Sequence, residues 1–132
     1  MVKFLPDEFC SVSLYGCTSE ELAQNSHGIP YLLEEDKYRG VVISAGTNDV
    51  GSLIMEETLA NLELLATQCE NLPFFILETP DLPALNANIR RTYPNNHISL
   101  PAVGADYYED GLHLNEAGSL LVAQAIVDKF FQ

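Results

Sequence analysis

Positive charge is scarce in this 132-residue chain: 6 Lys and Arg stand against 19 Asp and Glu, a formal net charge of −13. Such a surface repels phosphate backbones and anionic membranes, which argues against nucleic acid as a partner. Solubility alone accounts for the acidity. Long apolar runs are also missing, and none approaches the ~20 residues of a membrane span. The opening Met1-Val2-Lys3-Phe4-Leu5-Pro6-Asp7 turns acidic too early for a signal peptide. Cysteine is sparse: Cys10, Cys17 and Cys69 cannot all pair, and Cys10 and Cys69 fall in apolar runs as small core residues. That usage points to a reducing, cytoplasmic compartment. No repeat, low-complexity tract or linker interrupts the chain. A hydrophobic fraction of 47% and a mean hydropathy of +0.04 suffice for a core and exclude disorder. The length is that of a single domain spanning residues 1–132.

Apolar runs alternate with helical patterns, which is the signature of an α/β fold with helices on the faces of a parallel sheet. Val12–Tyr15 reads as a strand ending at Gly16. Thr18-Ser19-Glu20-Glu21 then spells a capping box, with Thr18 as cap and Glu21 reaching back. Leu32–Lys37 reads as a short helix. Val41–Ala45, β-branched and bounded by Gly40 and Gly46, is the strongest strand. Met55, Leu59, Leu62, Leu65, Ala66 and Cys69 share one helical face. Phe74–Leu77 is a third buried strand, and His97–Leu100 a fourth. Between them Asp81 can cap a helix with Pro83 in its first turn and Leu85, Ile89 and Tyr93 on its inner face. Asn115 caps the closing helix, for which Leu120, Ala123, Val127 and Phe130 are expected to be the buried stripe.

Two short motifs lie where chemistry is placed in such folds. Gly46-Thr47-Asn48-Asp49 follows a buried strand, so it sits at the carboxyl edge of the sheet, where open α/β sheets bind ligands. Asp110-Gly111-Leu112-His113 precedes the last helix. Acyl transfer needs a nucleophile, a base, a group that orients the base, and donors for the oxyanion. His113 suits the base because imidazole titrates near neutrality, and Asp110, three residues earlier, can orient it. The Gly16 amide, between a strand and a helix start, and the Asn48 side-chain amide are candidate oxyanion donors. Each has a plainer explanation: a cap beside a surface histidine for Asp110 and His113, an Asx turn for Gly46–Asp49, a loop residue for Gly16. Cys17, at a helix start that lowers a thiol pKa, is a candidate nucleophile, or simply a small residue in a tight turn. Ser19 is better explained by capping, and Ser44 lies inside a strand. A metal site from Asp110, His113 and His97 or His27 has no known ligand spacing behind it. Tyr107 and Tyr108 read as a lid or packing pair.

In their order and at the ends of these elements, the motifs resemble those of the SGNH hydrolase family, the GDSL esterases and lipases. Val12–Leu22 is similar to the family's second block, whose glycine (here Gly16) donates to the oxyanion. Gly46-Thr47-Asn48-Asp49 is similar to the third, whose Asn (here Asn48) is the other donor. Asp110–Gly118 is similar to the fifth, with its Asp, its His and a glycine in the last helix. The resemblance runs from about Ser11 to Gln132. It implies a flavodoxin-like three-layer α/β/α sandwich, a small ester or acylated substrate, and an acyl-enzyme mechanism without metal or cofactor.

The family's opening block, a strand running into Gly-Asp-Ser and then a helix, is absent. Only fifteen residues precede Gly16, and a parallel crossover needs about a dozen residues or more. Pro6–Cys10 is too short for it; Pro6-Asp7-Glu8, the nearest imitation, carries Glu8 where the serine would stand. The family's first strand is therefore expected to be missing or replaced. The replacement is Met1–Leu5 folded back as a hairpin, a strand from a second copy, or a segment of a longer or split protein. An open sheet edge invites association, so a homodimer or a complementing chain is expected. The sequence thus reads as an ester hydrolase domain without its own nucleophile and nearly inactive alone. The alternative is a catalytically dead SGNH-like module used for binding or assembly.

Overall fold

A computed structural model of the chain describes residues 18–24, 29, 40–46, 49, 51, 53–70, 72–79, 82–100, 106–110 and 113–131. The Val12–Tyr15 strand, the Leu32–Lys37 helix, Cys10, and the candidate replacement strand Met1–Leu5 lie outside them. The order of elements is α1 (Ser19–Gln24), β1 (Val41–Ile43), α2 (Met55–Gln68), β2 (Phe74–Leu77), α3 (Pro83–Thr92), β3 (His97–Ile98) and α4 (Glu116–Phe130). The strands form a parallel sheet in the order β1-β2-β3. Val41, Val42 and Ile43 pair with Phe74, Phe75 and Ile76, and Ile76 and Leu77 pair with His97 and Ile98. The fold is α/β, as the alternation of apolar runs and helical patterns predicts.

Alternate residues of a strand point to opposite faces, and here the faces meet different helices. Ile43 and Ile76 are buried with Leu62 and Leu65 of α2, Leu85 and Ile89 of α3 and Ala23 of α1. Val42, Phe75 and Leu77 pack instead with Val122 and Ile126 of α4. With both faces covered, the strands can be apolar throughout, which is why Val-Val-Ile and Phe-Phe-Ile-Leu show no polar alternation.

Local chemistry sets the helix ends. The Thr18 hydroxyl accepts from the Glu21 amide at 3.2 Å while the Glu21 carboxylate accepts from the Thr18 amide at 3.3 Å, the reciprocal pair expected at the start of α1. Asn115 caps α4 by accepting from Gly118 N at 2.9 Å. At α3 the cap position falls on Leu82, with Pro83 as the first helical residue; Asp81 is outside the described residues. Cys69 closes α2 fully buried, its thiol on the Leu65 carbonyl, and burial pushes its pKa up to about 11.

One expectation needs correcting. The buried side of α4 is Gly118, Val122, Ala123 and Ile126, whereas Leu120 is 49% exposed. Leu120 to Val127 is apolar except for Gln124, so hydrophobicity alone does not set the rotation of this helix. A contact does: a Cβ on Gly118 would stand 2.3 Å from the Tyr107 carbonyl oxygen. The helix start therefore lies against backbone at a point only glycine tolerates. Phe130, at the other end, packs edge-on to Phe75 at 5.0 Å and fills the space a Cβ on Gly40 would take.

Candidate active site

The loop before α4 is an antiparallel clasp. Tyr108 bridges Leu114, Glu109 N donates to His113 O at 2.8 Å, and Asn115 N donates to Tyr107 O at 2.9 Å. The Asn115 side chain adds a bond to the Asp106 carbonyl at 3.0 Å. Tyr108, buried under this clasp, is a packing residue. Asp110 and His113 stand at the tip, and the structure brings them together.

Asp110 holds His113 at two points. One carboxylate oxygen accepts from the His113 backbone amide at 2.6 Å, and the other lies 2.7 Å from ring Nδ1. An ionised carboxylate only accepts, so Nδ1 carries the proton and the neutral ring presents its lone pair at Nε2. Hydrogen bonding to Asp110, then its charge, raise the His113 pKa above the ordinary 6.5, with a further push from Glu109. Both side chains are more than half exposed, so the pair is open to a substrate from solvent. An orienting carboxylate, a fixed tautomer and an exposed ring are the features general-base chemistry requires of a histidine.

The other two candidates, Gly16 and Asn48, lie outside the described residues, as do Cys17 and His27. Their neighbours are described, and they are tied to one another. The Asp49 carboxylate accepts from Ser19 N at 2.7 Å, Ser19 Oγ at 2.5 Å and Thr58 Oγ1 at 2.6 Å, and Asn61 Nδ2 donates to Ser19 Oγ at 3.1 Å. Asp49, Ser19 and Thr58 are all buried. Asp49 thus supplies, from the β1 loop, an acceptor for an amide at the start of α1 that the helix itself cannot satisfy. Ser19 is held by this anchor, and the cap of α1 is Thr18. Asp49, the residue after Asn48 in sequence, and Ser19, three residues after Gly16, are consequently joined through one carboxylate.

A second buried carboxylate lies at the carboxyl end of β2. Glu78 accepts Arg90 Nε at 2.5 Å and Nη2 at 2.9 Å, with Ser99 Oγ and Leu100 N each at 3.4 Å. Burial works to raise its pKa, but Arg90, Leu100 N and His97 together hold it below the ordinary value. Beside it Thr79 donates to the Ala45 carbonyl at 3.2 Å and exchanges two bonds with the Asn86 amide at 2.8 Å, joining the ends of β1 and β2 to α3. Sequence reading missed both carboxylates as anchors. The signal for Glu78 was an acid placed directly after four apolar strand residues; Asp49 was visible only as part of a turn motif. His97 has its Nδ1 3.3 Å from the Tyr93 carbonyl, and among the described residues no group of three or more His, Cys, Asp or Glu is placed to hold a metal ion. Nor is any described helix long and apolar enough to cross a membrane.

Set against known protein families, curated proteins and solved structures, the chain matches none of them.

Proposed function

We propose that this chain is an SGNH-type carboxylic ester hydrolase domain that carries the base and the oxyanion machinery but receives its nucleophilic serine from another segment, either a partner chain or sequence beyond these residues. The two-point grip of Asp110 on His113 carries the reading, because it fixes both the place of the ring and the tautomer that leaves Nε2 as the acceptor. The parallel sheet with different helices on its two faces supports a flavodoxin-like sandwich.

In this mechanism His113 Nε2 takes the proton of the serine hydroxyl as its oxygen attacks the ester carbonyl. Asp110 stabilises the imidazolium that forms, and the Gly16 amide and Asn48 side chain receive the oxyanion. His113 then returns the proton to the departing alcohol, and a water molecule repeats the sequence on the acyl-enzyme. No metal or cofactor enters these steps. The alternative, a catalytically dead binding or assembly module, rests on the missing Gly-Asp-Ser segment.

The test is hydrolysis of p-nitrophenyl acetate by the isolated chain and by the same chain carrying an added strand–Gly-Asp-Ser–helix segment. The isolated chain should not exceed its His113→Ala variant. The extended chain should show an acyl-enzyme burst that His113→Ala abolishes. Turnover by the isolated chain that depends on His113 would overturn the missing nucleophile. A folded extended protein without a burst would favour the module.

A further inference from the structure

Beside the Gly46–Asp49 loop, between the start of α2 and the first turn of α3, lies a cavity of about 190 Å³ that none of the steps above uses. Its walls include Leu53, Met55, Leu82, Pro83 and Leu85, with Gly46 and Asp49 at the carboxyl end of β1. That is the edge at which open α/β sheets take ligands. The polar side chains among its described lining residues already have partners: the Asp49 carboxylate accepts from Ser19 and Thr58, and the Thr58 hydroxyl donates to it. Among the described residues an occupant is therefore offered apolar side chains and no unpaired side-chain charge. Gly46 sets the depth. Its φ of +113° suits glycine, and a Cβ there would stand 2.9 Å from Leu85 Cδ2, so any side chain at this position would displace Leu85 from its place in the wall.

Size narrows the occupant further. An apolar cavity of about 150 Å³ binds benzene, so this one, partly open to solvent, covers one benzene-sized group or about six carbons of an aliphatic chain. We propose that the cavity is the subsite for a short apolar arm of an uncharged ester, bordered at the sheet edge by Gly46 and Asp49. The nature of the ligand rests on the ester-hydrolase reading, while the site itself rests on the cavity.

The chain contains two methionines, Met1 and Met55, so methionine-methyl ¹³C labelling yields a two-signal spectrum with one reporter in the cavity wall. Met55→Leu assigns the signals. Methyl alkanoates from acetate to decanoate, and alkyl acetates of matching length, are titrated against the Met55 methyl. Affinity should rise about three- to four-fold per methylene, the increment for burying one, and stop rising near six carbons. The series that shows the steeper rise identifies the arm as acyl or alcohol. Ala84→Leu, at a lining position on the exposed first turn of α3, should weaken methyl hexanoate at least ten-fold while the His113 titration stays as in the parent. No Met55 response to either series, affinity that keeps climbing to ten carbons, or full binding by a folded Ala84→Leu variant would each overturn the subsite. Because the readout needs no turnover, failure here beside a working extended enzyme rejects the subsite alone. Chain-length-limited binding beside an inert extended enzyme rejects the hydrolase alone.

Discussion

Asp110 engages both the backbone and the ring of one histidine, and the protonation state of that ring is the most direct thing to measure. The folded pKa of His113 is raised by Asp110. The pair therefore contributes stability that is fully present below the ordinary value of 6.5 and is lost as pH rises through the folded value. Base function runs the other way, since Nε2 accepts a proton only once the ring is neutral, so an extended enzyme should gain rate as pH rises through the same value. NMR titration of His113 Cε1–H should give a pKa above 6.5 that returns toward 6.5 in Asp110→Asn. An unchanged pKa in that variant would show that the carboxylate is not what holds the ring. Asp49 calls for a different measurement. It is buried with three donors aimed at it, so Asp49→Ala strands an amide and two hydroxyls and should cost about 3 kcal/mol in urea unfolding. Asp49→Asn, which keeps one acceptor oxygen, should cost less. The pairing of Asp110 with His113 was legible in the sequence because they stand three positions apart. The Asp49–Ser19 bond spans thirty residues, and no local pattern announces a partner that distant.

Among the elements, β2 was read from sequence with its observed bounds and β1 nearly so, because short β-branched or aromatic runs between Gly, Pro and turn residues have few competing conformations. The last helix was placed correctly by its Asn115 cap, but its buried stripe only in part: Ala123 is buried as expected, while Leu120 is exposed and Val122 and Ile126 are buried in addition. Six of the seven residues from Leu120 to Ile126 are apolar, so several rotations satisfy the pattern equally, and what chooses between them is the approach of Gly118 to the Tyr107 carbonyl, a tertiary contact. Gly118→Ala tests that account. The added methyl meets backbone oxygen, which cannot swing aside as a side chain would. Overpacking of this kind costs about 1–3 kcal/mol, and the variant should melt lower accordingly. Because the same backbone carries the clasp, the His113 pKa should also move toward 6.5. A loss of stability with an unmoved His113 titration would separate helix packing from the site.

At the scale of the whole molecule, charge decides the response to solvent. A net charge of −13 on 132 residues makes the compact state repel itself. Raising ionic strength from about 10 mM to about 150 mM shortens the Debye length from about 30 Å to about 8 Å, and the melting temperature should rise by a few degrees. A flat or falling response would mean that attractive ion pairs outweigh the excess. Acid acts through Glu78. Its folded pKa lies below the ordinary 4.5, so its contribution is present above that value and is lost as pH falls through the folded one. Arg90→Met removes the cation beside it and should make stability fall away at a higher pH on acidification, as followed by circular dichroism.

The Asp49 anchor also bears on how such a chain can diversify. Loops at a sheet edge are ordinarily interchangeable parts, altered one at a time while the scaffold stays put. Here the turn after β1 and the entry to α1 share a carboxylate, so they behave as one inheritable piece. A chimera that borrows residues 46–50 from elsewhere without Asp49 should lose register at α1 as well. Ser19 and Thr58 would have to travel with the graft for it to fold.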